Sequence, residues 1–306
     1  MQNSGELDTV QALAQVLDLH QDDRYATAME SIGWKSQGRS GERIFYRNLG
    51  PFVLMKAQRI QSWNSELFLQ IKKKGIPVIT QVEPGLSVSF KGKQVDWDDP
   101  EWDTIWKAEG FRQSRTVYAH TATSFIDLRV GEEKLLSSFK QKTRYNIKKG
   151  LQSSWTISSR EGSSFTDQDH HNLDELFHRW KREKSSHSTY GKGFVRAIIQ
   201  AFGDQCRVFE ARNEKHELQA FLIYLQSNEL GVYFVACSSK EANKRQMPST
   251  LTWTAIKYAI NQKRKFFDFY GIYDPRYPKD YKDWKGFTAF KEGFRPQVIQ
   301  YPRPWR

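Results

Sequence analysis

The chain has little of several things, and each scarcity removes a class of function. Cys206 and Cys237 are its only cysteines. They lie far apart, with no metal-ligand or redox spacing, so buried reduced thiols are expected. Histidines number seven. His170, His171, His187 and His216 stand in polar segments expected to be exposed, and none follows a strand-turn-helix nucleophile elbow, so no nucleophilic triad is visible. No ligand set with metal spacing occurs. No apolar run approaches the ~20 residues of a membrane helix, and the mean hydropathy is -0.72. The N-terminus is polar, without a charged-then-apolar signal segment, so a cytoplasmic protein is expected. Acidic residues are outnumbered, 35 against 47 basic, for a net charge of +12. That surplus suits an anionic partner such as nucleic acid, anionic lipid or a phosphorylated substrate. A basic solvated surface is the plainer explanation.

The 306 residues suffice for two domains, and no tandem repeat is evident. Helical spacing is expected over Asp8–His20 and Asp23–Gly33, then strands over Glu42–Tyr46 and Phe52–Ala57 joined at Asn48–Pro51. A helix from Trp63 to Lys74 stops at Gly75. A buried strand over Ile76–Val82 leads to Glu83-Pro84. A short helix over Pro100–Glu109 and strand over Thr116–Leu128 follow. Val130–Gly150 is expected to be one helix capped by Gly150, burying Leu136, Phe139, Thr143 and Ile147. Lys140, Arg144 and Lys148 make a basic stripe on it, either a solvated face or a phosphate-tracking surface. Beyond Ser153, a helix over Leu173–Lys184 precedes strands over Arg207–Arg212, Leu218–Gln226 and Gly231–Ala236, a helix from Pro248 to Gln262, and a strand over Phe266–Tyr270. The pattern is α/β. Three antiparallel strands, a helix and a strand is the core order of the acetyltransferase-like (GNAT) fold. Acetyl-CoA enzymes of that fold cradle the pyrophosphate on a glycine-rich turn before the helix. The matching stretch here, Ser238–Ser249, contains no glycine, which counts against an acyl-CoA donor. Its Lys240, Lys244 and Arg245 can still meet phosphates.

The most informative segment is Phe287-Thr288-Ala289-Phe290-Lys291-Glu292-Gly293-Phe294, close behind Phe267-Asp268-Phe269-Tyr270-Gly271-Ile272. Aromatics around Lys291 mark a partly buried site, where an ammonium is costly unless an anion meets it. Lys291 is therefore either an ion-pair partner of Glu292 or a nearby Asp, or a fixed positive charge for a ligand. With Lys140–Lys148 upstream of it, and with Leu49-Gly50-Pro51-Phe52, Lys56 to Arg59, Gly110–Ser114, Ile126-Asp127-Leu128 and Trp284-Lys285-Gly286-Phe287 recurring in this order, the chain resembles the FemABX (FemA/FemX-like) non-ribosomal peptidyltransferases of peptidoglycan bridge formation.

The resemblance implies two GNAT domains in tandem, over 1–130 and 131–298, with 299–306 returning to the first. No heptad segment suited to the family's helical arm is found, so the armless members are the ones it resembles. It implies aminoacyl-tRNA as co-substrate, no bound cofactor or metal, and a peptidoglycan precursor as acceptor, lipid- or nucleotide-linked. Peripheral contact with the inner membrane face, aided by Tyr301, Arg303, Trp305 and Arg306, and a monomeric state go with it. Lys291 would stand at the reacting ester or the tRNA end, with Phe290 beside it. Tyr233, Tyr270 and Arg59 would meet substrate, although Tyr233 and Phe290 also suit a core. Lys140, Arg144 and Lys148 would take tRNA. Glu83, expected at a strand end before Pro84, would handle the amine proton or is a surface acid. The lysine and arginine that hold the precursor's diphosphate in the family fall near uncharged Thr27 and Thr189 here. Competing readings are an N-acyltransferase with another donor or a protein acceptor, and an inactive RNA-binding relative.

Overall fold

Runs of alternating apolar residues and β-branched side chains form two separate sheets. The computed structural model describes residues 12–13, 16–72, 77–184 and 193–306. Residues 8–11 and 14–15 of the helix expected over Asp8–His20, the stop at Gly75, His187 and Thr189 lie outside the described residues. The chain forms two compact units, Met1–Ala122 with Ile299–Arg306, and Thr123–Val298. The divide falls at 122/123 rather than at 130/131, because the strand that starts at Ala122 joins the second sheet.

In the first unit helix α1 (Asp23–Ser31) precedes β1 (Lys35–Gln37), β2 (Ile44–Leu49) and β3 (Phe52–Trp63), with a tight turn at Gly50-Pro51. Then come α2 (Ser65–Lys72), β4 (Val78–Phe90), β5 (Lys93–Asp96) and α3 (Trp102–Ala108). The sheet order is β1-β2-β3-β4-β5, with β3 and β4 parallel. Its core is aromatic: Trp63, Trp102, Trp106, Phe111 and Trp305 pack together, and Trp106 stacks on Trp305 with centroids 6.0 Å apart. Trp305 exchanges both backbone hydrogen bonds with Val82, at 2.7 and 2.8 Å. Trp305 and Tyr301 are buried, so these aromatics hold the C-terminal segment in place and do not present themselves to a membrane. Glu83 is not at a strand end: β4 continues through Pro84 to Phe90, and Glu83 is buried. Proline is tolerated there because the β3–β4 register slips between Gln58 and Ile60.

The second unit follows as β6 (Ala122–Asp127), α4 (Glu132–Ser138), α5 (Gln141–Leu151), β7 (Thr156–Glu161), α6 (Asp167–Lys184) and α7 (Phe194–Phe202). It continues with β8 (Cys206–Arg212), β9 (Leu218–Ser227), β10 (Leu230–Ser238), α8 (Lys240–Lys244), α9 (Met247–Asn261), β11 (Phe266–Asp268) and α10 (Lys285–Lys291). The sheet order is β12-β6-β11-β10-β9-β8-β7, where β12 (Gln297–Gln300) carries the chain back to the first unit. Only β10 and β11 pair in parallel among the registers of β6 to β11. The expected single helix over Val130–Gly150 is two. Phe139 adopts an extended conformation between α4 and α5, and its ring is buried against Trp253 and Phe294 at 5.6 and 5.1 Å. Gly150 lies inside α5 rather than capping it. A Cβ there would stand 1.9 Å from Thr250 Oγ1, so the glycine lets α5 approach α9. His170 is buried beside Phe165, not exposed as its polar sequence context suggests.

Candidate active site

The site grows from the parallel pair in the second sheet. β10 and β11 are paired only from Leu230/Phe266 to Val232/Asp268. β11 ends there, while β10 runs on through an irregularity between Tyr233 and Val235. The chain leaving β11 turns through Tyr270, whose φ is 62°. That left-handed conformation is held by the Tyr270 amide, which donates to Asp268 Oδ1 at 2.7 Å. Asp268 is itself buried and also accepts from the Thr123 hydroxyl.

Lys291, at the end of α10, reaches this turn. It is 6% exposed, and its ammonium donates to the carbonyls of Gly271 at 2.6 Å and Tyr270 at 3.3 Å. The Phe287 and Tyr233 rings lie 4.8 and 5.5 Å away. Burial lowers the Lys291 pKa to about 7, partly opposed by the negative charge of Asp268. The ion pair with Glu292 does not form. Glu292 instead lies 3.9 Å from Lys140, and Lys291 has no carboxylate within hydrogen-bond reach among the described residues. Lys291, Lys140 and Arg295 border one cavity of about 220 Å³, with Ser124, Thr288 and Glu292 supplying other polar groups. Three cations against one carboxylate make it an anion-favouring recess.

The structure thus gathers Lys291, Tyr233, Tyr270 and Lys140 into one neighbourhood. Tyr233 is half-buried, and its phenol pKa is pushed up by burial. Phe290 packs against the hydrophobic core and lies 5.5 Å from Phe294. The basic stripe is split. Lys140 caps α5 beside the cavity, Arg144 turns back to donate to the carbonyls of Ser137 and Phe139, and Lys148 is solvent-exposed on the last turn of α5. Glu83 and Arg59 belong to the first unit. Glu83 Oε1 accepts from the backbone amides of Tyr118 and Ala119 at 2.6 and 2.8 Å. Its Oε2 is buried without a hydrogen-bond partner among the described residues. The Lys56 pKa is lowered to about 8 by burial, against the charge of Glu83. Arg59 is 1% exposed, donates to the His120 carbonyl and stacks on Tyr301 at 3.5 Å. Thr27 is exposed on α1.

Sequence reasoning missed Arg295 and the role of Asp268. A carboxylate between two phenylalanines of a buried strand was the available signal for Asp268, because such a group persists only when its charge is used. Ser238–Ser249 forms no open cradle. The Ser239 hydroxyl caps the short helix α8, Gln246 is left-handed, and α9 begins at Met247. Arg245 is committed to Glu241 and Glu214 at 3.3 and 3.8 Å.

Residues 137–285 match the acetyltransferase (GNAT) domain family. Among solved structures, FemX superimposes with a TM-score of 0.69 at 14% identity, covering 100% of this chain and 96% of FemX. The chain has the fold of FemX. This FemABX-like fold is two GNAT-like domains in tandem, with no helical-hairpin arm among the described residues. Two further neighbours share it. The C-terminal domain of a putative lysylphosphatidylglycerol synthetase from Agrobacterium fabrum gives 0.63 at 14% identity, covering 98% of this chain and 91% of its own. L-PGS from Bacillus licheniformis gives 0.62 at 11% identity, covering 99% and 91%. No protein of curated function matches the chain in sequence. The FemX-like fold here thus carries an acyltransferase-type second domain whose Ser238–Ser249 stretch lacks glycine. No helix among the described residues is long and apolar enough to cross a membrane.

Proposed function

We propose that the chain is an aminoacyltransferase that moves an amino acid from aminoacyl-tRNA to the stem peptide of a peptidoglycan precursor. It works in the cytoplasm as a monomer and without a bound cofactor. The observation that carries this reading is Lys291: a buried ammonium, bordering a cationic recess, in a FemX-like fold. The ester of aminoacyl-tRNA is already activated, so neither an enzyme nucleophile nor a metal is required. The acceptor amine attacks the ester carbonyl, the carbon–oxygen bond to the tRNA sugar breaks, and the proton lost by the amine ends on the departing hydroxyl. Lys291 supplies positive charge where the tetrahedral intermediate becomes anionic. Tyr233 and Tyr270 shape the same neighbourhood, and Phe290 fixes the helix that bears Lys291. Glu83, buried in the first unit, is given no step in this reading.

A second donor class has one specific support, the match of residues 137–285 to acetyltransferases. The helical, glycine-free Ser238–Ser249 stretch argues against it. One assay decides. The purified protein is incubated with tRNA charged with labelled amino acids, or with labelled acetyl-CoA, and with a lipid-linked or nucleotide-linked muropeptide. Labelled muropeptide formed from charged tRNA is the expected result. Label passing only from acetyl-CoA would replace the donor. Phosphatidylglycerol replaces the muropeptide in a parallel arm, because the neighbours include lysylphosphatidylglycerol synthetases. Transfer only in that arm would replace the acceptor.

A further inference from the structure

The first unit carries a second, larger recess, unrelated to Lys291. It has a volume of about 540 Å³ and is formed where the end of β3, α2, the start of β4 and the segment after α3 meet. Its floor is aromatic, with Trp63 5.5 Å from Phe68, and Phe68 5.4 Å from Phe111. Its lip is aliphatic and open: Leu69 is 46% and Ile79 48% exposed. Lys72, Arg112 and Arg306 border it. Arg112 and Arg306 are held side by side by reciprocal backbone hydrogen bonds of 3.0 and 2.8 Å. The Lys72 ammonium lies 5.7 Å from the centroid of the Phe68 ring. The side chains of these three cations have no ion-pair partner among the described residues. The one acidic side chain in the lining, Glu109, is already committed to the Trp63 indole at 3.0 Å and to Lys91 at 3.8 Å.

Exposed leucine and isoleucine at the mouth of an apolar recess cost solvation unless something apolar covers them. A ring of uncompensated cations around them asks that the covering molecule be anionic at one end. Nucleic acid fits poorly, because the exposed apolar groups are aliphatic and offer no face on which a base can stack. We propose that this groove seats an anionic membrane phospholipid, with its acyl chain between Leu69 and Ile79 and its phosphate among Lys72, Arg112 and Arg306. The protein would then rest on a membrane surface through its first unit, whichever group it transfers.

Flotation with vesicles tests this in the full chain. With vesicles of phosphatidylglycerol in phosphatidylcholine the protein is expected to float, and with phosphatidylcholine alone it is not. Each cation near an anionic surface is worth about a fivefold change in partitioning, so Lys72→Gln with Arg112→Gln is expected to lower it about 25-fold. Leu69→Ser with Ile79→Ser is expected to lower it about tenfold through lost apolar contact. All four side chains are exposed, so circular dichroism should report an unchanged fold. Lys215→Gln with Lys263→Gln, two exposed lysines of the second unit, removes the same charge elsewhere and is expected to change partitioning by less than about threefold. No flotation with anionic vesicles would overturn the proposal. So would equal losses from the two lysine-containing pairs, or no loss from the aliphatic pair, which would mean that general basic charge alone binds, or that another partner covers the groove.

Discussion

Arg59 and Lys291 invite comparison. Each is a buried cation, each stands beside a residue in the left-handed region or is one, and each gives its hydrogen bonds to backbone carbonyls. Arg59 belongs to the first unit and is closed in. Its guanidinium meets the His120 carbonyl and the Tyr301 face, and Asp18 feels its charge. Lys291 belongs to the second unit and borders a recess that also holds Lys140 and Arg295. Burial alone therefore does not mark a functional cation. A guanidinium is too basic to lose its proton when desolvated and suits permanent architecture. An ammonium can be shifted into the neutral range, and beside a cavity that shift becomes usable.

The comparison breaks most sharply if both cations are removed. Lys291→Met is expected to lower turnover by about 10²-fold with the fold retained, because charge at the developing oxyanion is worth that much. Full turnover in the folded variant would reduce Lys291 to a strap on the Tyr270–Gly271 turn. A rise in donor KM with unchanged kcat would move it to tRNA binding. Arg59→Met is expected to do the reverse: a stability loss of about 2 kcal/mol in denaturant unfolding, with unchanged turnover per folded molecule. Turnover lost in folded Arg59→Met protein would give Arg59 a substrate role after all. Arg295→Ala should be milder, raising the donor KM about tenfold with little change in kcat, since an exposed guanidinium at the rim binds without touching the reaction. An unchanged donor KM would remove Arg295 from the donor's path.

The α/β order, the three antiparallel strands followed by helix and strand, and the lysine motif were legible because periodicity and glycine stops are local signals. The break at Phe139 was not. It depends on that ring finding Trp253 and Phe294, which are over a hundred positions away in the chain. Gly150 illustrates the same limit. As a sequence symbol it suggests a helix cap, and only the approach of Thr250 shows it to be a packing position. The Lys140, Arg144 and Lys148 spacing suggested one helical stripe, but α5 starts at Gln141, so Lys140 stands at its cap and Arg144 serves the preceding carbonyls. Glu83 was noticed for preceding a proline, a signal that ordinarily ends strands. The bulge that lets β4 continue arises in its partner β3, so nothing local to Glu83 revealed its burial.

The smallest expected effect is on pH dependence, and it separates the units again. Lys291 has a native pKa of about 7 against an ordinary value of 10.5, and Lys56 about 8 against the same value. Each folded value is depressed, so between the native and ordinary values the unfolded chain holds more protons than the folded one. Stability therefore rises with pH across that window. Both lysines contribute above about pH 8, and between about 7 and 8 the rise belongs mainly to Lys291. Thermal unfolding followed from pH 6 to 9 should show Tm gains from neighbouring groups persisting in Lys291→Met while the part between about 7 and 8 flattens. Donor binding should run the opposite way. Protonation of Lys291 as pH falls through about 7 creates the cation that meets the tRNA ester or phosphate, so wild-type affinity for charged tRNA should rise a few-fold there and Lys291→Met affinity should not. Equal pH dependence of tRNA binding in the two proteins would mean that the ammonium never meets the donor, leaving the recess to Lys140 and Arg295 alone.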